Sequence, residues 1–247
     1  MTHPVLIRFH EVADAVGAAL ASATDRGGSG QRVGQYAIDL VTDAVALPML
    51  RGAGFRVLSE ESGLSGGGDG AIVVIDPVDG STNFSRGVPW YATALCLVDD
   101  DGPAVALVAD QASGERYAAV RGEGAWRGDG TPLVPSGCTS PAAAIVGISG
   151  PPGGDYGWAQ FRALGASALD LCLVAAGTLD AFVDMSPDAH GVWDYLAASL
   201  ICAEAGAVVV DALGRDLAVL DHAARRTPIG AATPALLDAL RAVRTAS

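Results

Sequence analysis

The chain has 247 residues, half of them hydrophobic, enough to bury one large core or two intimate halves. Its 15 Lys and Arg against 28 Asp and Glu give a net charge of -13, which argues against non-specific binding to nucleic acid or an anionic membrane and obliges any phosphorylated ligand to meet a local cation. With no basic n-region leading an apolar run to a cleavage site, and no uncharged apolar stretch of about 18 residues, the expected setting is soluble and cytoplasmic.

Apolar residues recur at helical spacing over 5–23 and "ATDRGGSGQ" ends the run, predicting an opening helix and a loop. A second helix is expected over about 40–50, with Pro48 near its end. "FRVLSEESG" reads as a strand ending in acids, "SGGGDG" as a turn, and "AIVVI" as a β-branched strand too short for a helix. "YATALCLVDDDGPAVALVAD" alternates and breaks at Asp-Gly-Pro as two strands joined by a turn would, and "ERYAAVRGEGAWRGDGTPLV" continues the meander. The second half changes order: a strand at "AAAIVGIS", a Gly/Pro loop, a helix over "SALDLCLVAAG" and a strand at "AFVDM". A helix over about 194–205, a strand at "AVVVD" and a last helix from Pro234 follow. Without a repeat or low-complexity linker, 1–247 is expected to be a single unit: an α+β half over 1–135 carrying the main motif, and an α/β half over 136–247 completing the site. Cys96, Cys138, Cys172 and Cys202 show neither metal-ligand spacing nor a dense disulfide pattern and are expected to be free thiols. His3, His10, His190 and His222 are scattered and are expected to serve surface or packing roles.

The main motif is "IDPVDGSTNF", residues 75–84. Asp76 and Asp79 follow a strand expected to be buried, and no Lys or Arg stands between Arg56 and Arg86. Two adjacent buried carboxylates raise one another's pKa and pay for desolvation, so a positive partner is expected. A hard divalent cation satisfies them through oxygen, with the Val78 carbonyl between them and Glu60 and Glu61 close by in sequence. Gly80, Ser81 and Thr82 then offer close backbone approach, hydroxyls and free amides to an anion. Read alone, the same residues also make a plain turn, and Asp194 also makes a plain helix N-cap.

Taken with the later block from Trp193-Asp194 through Ile201 to Glu204-Ala205-Gly206, Asp76-Pro77-Val78-Asp79-Gly80-Ser81-Thr82-Asn83-Phe84 resembles the inositol monophosphatase superfamily of magnesium-dependent, lithium-sensitive phosphatases. The resemblance runs over about 35–211. It implies a layered αβαβα sandwich of the inositol monophosphatase/fructose-1,6-bisphosphatase type, an α+β fold, and an expected homodimer. It implies that Glu60, Asp76, the Val78 carbonyl, Asp79 and Asp194 bind two or three Mg2+ ions, while Gly80, Ser81 and Thr82 hold phosphate. An upstream acid that organises the attacking water is Asp39 or Asp43, with Asp39 spaced more like the family from Glu60, so that Asp39, Glu60, Asp79 and Ser81 form the catalytic set. Asp184 and Asp194 would face the substrate alcohol, Asp184 standing where many members carry glutamate and Ala166 where threonine is common.

The implied activity is hydrolysis of a small phosphorylated metabolite, with inositol monophosphate the modal substrate and histidinol phosphate, a nucleotide 3'-phosphate and fructose 1,6-bisphosphate as alternatives. Phosphatases that form a phospho-aspartate need one residue between their two acids; here there are two, and Pro77 stands at the nucleophile's place. A metal-dependent protein that binds a phosphometabolite without turnover is the reading from another class.

Overall fold

A computed structural model describes residues 3–31, 34–67 and 71–245; part of the expected "SGGGDG" turn, 68–70, lies outside them. Helix α1 (Pro4–Ser22) buries Leu6, Phe9, Val12, Val16 and Leu20, one face at helical period. Helix α2 (Ala37–Gly52) starts earlier than the apolar pattern indicates, because Asp39 accepts from the Tyr36 backbone N–H at 2.8 Å and caps it. Pro48 lies inside this helix rather than ending it.

Seven strands form the first sheet: β1 (Arg56–Ser59), β2 (Gly63–Ser65), β3 (Ile72–Asp79), β4 (Ala92–Asp99), β5 (Gly102–Asp110), β6 (Arg116–Val120) and β7 (Gly124–Arg127), in the order β2-β1-β3-β4-β5-β6-β7. β1 runs parallel to β3 and the rest is antiparallel. The expected single strand over "FRVLSEESG" is instead the hairpin β1–β2, whose turn carries Glu60 and Glu61. A short helix, α3 (Ser81–Arg86), follows β3.

The second sheet is built from β8 (Ile145–Ser149), β9 (Gln160–Arg162), β10 (Ala181–Asp184), β11 (Val208–Asp211) and β12 (Pro228–Ala231), in the order β11-β12-β10-β8-β9. β9 and β12 are too short and too polar or glycine-containing in sequence to stand out as strands, and sheet pairing alone defines them. Helices α4 (Ser167–Ala175) and α5 (Leu196–Ala205) lie between the sheets, and α6 (Pro234–Thr245) covers the far face of the second. α1 and α2 cover the outer face of the first sheet, so the order of layers is αβαβα. α4 and α5 are apolar on nearly every side because both faces are covered, which explains their weak amphipathic signal. Cys96, Cys172 and Cys202 are buried in this middle region, and all four cysteines are free.

The connection from β11 to β12 is held by Asp211, whose carboxylate accepts from Arg215 Nε (2.8 Å), Arg215 Nη2 (2.9 Å) and Thr227 N (2.8 Å). Burial pushes its pKa up, but these donors outweigh it and bring it down to about 2. A carboxylate depressed in the folded state contributes stability above its unfolded pKa and loses it as pH falls through the folded value. Asp211→Asn is therefore expected to lower the unfolding free energy by about 1–2 kcal/mol at pH 7, discounted for the half-exposed guanidinium, with the difference shrinking below about pH 4. Urea titrations at pH 7 and pH 3 check this; a deficit independent of pH would refute it.

Candidate active site

The spacing of Asp76 and Asp79 poses a geometric problem, since residues three apart on a regular strand point to opposite faces. The β3–β4 register solves it: Asp76 pairs with Ala94 and Asp79 with Ala92, three steps on one strand against two on the other. This bulge reverses the side-chain phase. Ahead of it Val74 faces the middle helices; after it Val78 faces α1 and α2, and Asp79 joins Asp76 on the inner side. Pro77, which has no N–H for the ladder, sits within the bulge, and its carbonyl accepts from Thr93 Oγ1 at 2.9 Å.

Asp76 accepts from the Val78 N–H (2.9 Å), and Asp79 accepts from the Ala168 N–H (2.7 Å) at the start of α4, so β3 is tied across to the second half. Gly80 follows with φ +89°, and a Cβ there would stand 2.9 Å from the Trp90 carbonyl, so only glycine fits. Asn83 Nδ2 donates to the carbonyls of Trp90 and Leu164, each at 2.8 Å. Trp193 and Asp194 belong to a 3-10 turn (Val192–Asp194) before α5, and Asp194 accepts from the Gly191 N–H at 2.7 Å.

Glu60, Asp76 and Asp194 each bring a carboxylate oxygen within 4.8 Å of the others. Burial, followed by their mutual repulsion, raises the pKa of Glu60 and Asp76 well above the carboxylate range, and burial with the charge of Asp194 does the same for Asp79. Burial also raises Asp194, opposed by the charges of His190 and Arg225 and by its bond from Gly191. A set of converging hard oxygen donors with suppressed acidity is what a divalent cation such as Mg2+ satisfies. The residues fit such an ion.

Two cavities flank the cluster. One, of about 310 Å³, is lined by Gln35, Asp39, Glu60, Glu61, Ser81, Trp193, His222 and Arg225. The other, of about 270 Å³, is lined by Asp79, Asp194, Gly165, Ala166, Ser167, Asp170 and His190, among others. Asp39 thus reaches the cluster, whereas Asp43 accepts from Ser59 Oγ and from Ser62 Oγ (2.7 Å) and braces the hairpin behind Glu60. Gly80 and Ser81 stand at the start of α3 with Thr82, which is exposed.

Asp184 departs from the expected place at the substrate. It is fully buried, with one oxygen taken by the Ser186 N–H (2.8 Å) and the other by His190 Nδ1 (2.7 Å). The loop between it and Trp193 places His190 in front of it, and His190 Nε2 lies 2.7 Å from Ser167 Oγ. His190, Ser167 and Asp170 line the second of the two cavities and were passed over in the sequence; the signal available was only the nearness of His190 to Asp194 and of Ser167 to Ala166. His222 and Arg225 were also missed: His222 Nε2 donates to the Glu60 carbonyl at 2.9 Å, its ring lies tilted 4.8 Å from that of Trp193, and Arg225 lies 5.1 Å from the Trp193 ring. A further cavity, of about 560 Å³ beside β9, is lined by none of these carboxylates.

The sequence pattern of the inositol monophosphatase family matches residues 11–245. The chain is 30% identical over 184 residues to the fructose-1,6-bisphosphatase/inositol-1-monophosphatase of Methanocaldococcus jannaschii, covering 72% of each protein. It is 33% identical over 195 residues to the Nus factor SuhB of Escherichia coli, covering 72% of this chain and 71% of that one. A solved inositol monophosphatase-fructose 1,6-bisphosphatase superposes with a TM-score of 0.83 at 26% identity, over 96% of this chain and 98% of the other. The inositol monophosphatase of Anabaena superposes with a TM-score of 0.77 at 25% identity, over 96% and 93%. Matched by the family pattern over 11–245 and by these relatives over most of its length, the chain belongs to the inositol monophosphatase family and is a phosphatase.

Proposed function

We propose that the protein is a Mg2+-dependent phosphomonoesterase of a small phosphorylated alcohol, with inositol monophosphate as the foremost substrate. The observation that carries this is the convergence of half-buried Glu60 and Asp194 on buried Asp76, beside Asp79 and directly before Gly80 and Ser81. Glu60, Asp76, the Val78 carbonyl, Asp79 and Asp194 would hold two or three ions, which when bound acidify water and neutralise phosphoryl charge.

The chain's own groups do the rest. Asp39 and Glu60, sharing one cavity, orient the attacking water and take its proton. The first amides of α3 lack intrahelical partners by construction and, with the Ser81 hydroxyl, receive the phosphoryl oxygens. The cavity that reaches Ser167 and His190 receives the alcohol. The double name of the Methanocaldococcus relative supports fructose 1,6-bisphosphate as an alternative substrate; histidinol phosphate and a nucleotide 3'-phosphate complete the panel. The Nus factor name of the Escherichia relative favours a second reading, a phosphometabolite-binding protein without turnover, which binding of these esters without phosphate release would select.

Because an unoccupied acid cluster repels itself, Mg2+ is expected to raise the melting temperature, and Asp76→Asn to raise the metal-free melting temperature while blunting the Mg2+ response. Scanning calorimetry with and without Mg2+ reads both; an undiminished response in the variant would remove Asp76 from the site. Asp79→Asn is expected to fold and to lower Mg2+-dependent phosphate release by about 1,000-fold or more, measured across the ester panel. Full activity in that variant would overturn the assignment.

A further inference from the structure

Ser167, His190 and Asp184 form a buried polar chain that the cation site leaves unused. A carboxylate on one ring nitrogen and a hydroxyl on the other is the arrangement through which an imidazole passes a proton to or from a serine. Neither partner of His190 is among the carboxylates assigned to the cation. The chain opens at its serine end into the cavity shared with Asp79 and Asp194. The facing cavity carries Asp39, Glu60 and Glu61 with Ser81, His222 and Arg225, and has no serine joined to an imidazole and a carboxylate among its lining residues. In-line displacement sets the attacking and leaving oxygens on opposite sides of phosphorus, and here the two sides differ in what they do with a proton.

We propose that Ser167 gives its hydroxyl proton to the leaving alcohol oxygen and is reprotonated by His190, which Asp184 holds in line; this rests on the phosphatase reading above. As the bond between phosphorus and the leaving oxygen breaks, its electron pair stays on that oxygen, which bonds the Ser167 proton. Ser167 Oγ takes the proton of His190 Nε2, and the neutral imidazole keeps its Nδ1–H on Asp184. The water oxygen bonds phosphorus and its proton leaves on the Asp39 and Glu60 side; solvent returns a proton to His190 after product release. Ser167 is then the catalytic group, and His190 and Asp184 position and recharge it.

Burial works against a protonated His190, but the Asp184 hydrogen bond and the charges of Asp194, Asp184 and Asp79 outweigh it and raise its pKa. The Asp184 contribution persists when a cation neutralises Asp79 and Asp194. Asp170, from α4 on the same cavity wall, is pushed up to about 7 by burial and accepts from Trp90 Nε1 at 2.9 Å.

An aliphatic alkoxide needs a proton as it leaves, whereas nitrophenolate does not, so the relay is read in leaving-group dependence. Steady-state kinetics of the full chain with Mg2+ on myo-inositol 1-phosphate and glycerol 2-phosphate against p-nitrophenyl phosphate gives a ratio of kcat/KM within each variant, in which the folded fraction cancels. Ser167→Ala is expected to lower the alkyl-to-nitrophenyl ratio about 100-fold and His190→Gln at least about tenfold. A ratio that holds in both variants, whether the two rates fall together or neither falls, overturns the relay and leaves the phosphatase reading standing. Wild-type protein that releases phosphate from none of the esters overturns both.

Discussion

Asp76 and Asp79 are buried and Glu60 and Asp194 half-buried beside them, and among the described residues no arginine forms an ion pair with any of the four. At a few ångströms in a poorly solvated interior, like charges repel by several kcal/mol, so the arrangement survives only through neutralisation or a bound cation. Much of the surrounding fold follows from holding these groups in place. The β1–β2 hairpin brings Glu60 over β3, the Gly191 turn fixes Asp194, and the start of α4 grips Asp79. The last two contacts each occupy one carboxylate oxygen, of Asp194 and of Asp79, and leave the other oxygen free of that bond.

The layered architecture makes that assembly possible. The strands of the first sheet lie before residue 128 and those of the second after residue 144, yet the acids come from both stretches and meet where α4 and α5 separate the sheets. Asn83 fastens the seam with one amide group, donating to Trp90 from the first half and Leu164 from the second. The site is therefore a property of the packed halves, with neither carrying it alone.

Most of the elements were legible because their apolar periods are local properties: α1, β3 to β8, α6 and the opening of α5 all stand in the sequence. Asp76 and Asp79 stood out as acids after an apolar run with no Lys or Arg near, whereas Asp194 read equally as a helix N-cap and joined them only through the family resemblance. What sequence could not supply was long-range. β9 and β12 exist only by pairing, and the turn that presents Glu60 was hidden inside what read as one strand. Residue type did not reveal direction at Asp184: its carboxylate is buried and addresses the His190 imidazole. Choice between Asp39 and Asp43 likewise turned on one helical turn, which points the first at the cavity and the second at two serines.

The bulge in β3 sets a rule of length as well as of identity. Its extra residue is what carries Asp79 to the face of Asp76 and sends Val78 to the opposite core. Removing one residue between the acids would restore the regular alternation with both carboxylates still on one face and the single remaining residue facing the α1–α2 core, but everything after β3, Gly80 and α3 included, would be drawn back by one residue against β4. Evolutionary drift at this strand can exchange Ile for Val between the acids at little cost, while an insertion or deletion rephases the sheet at its centre.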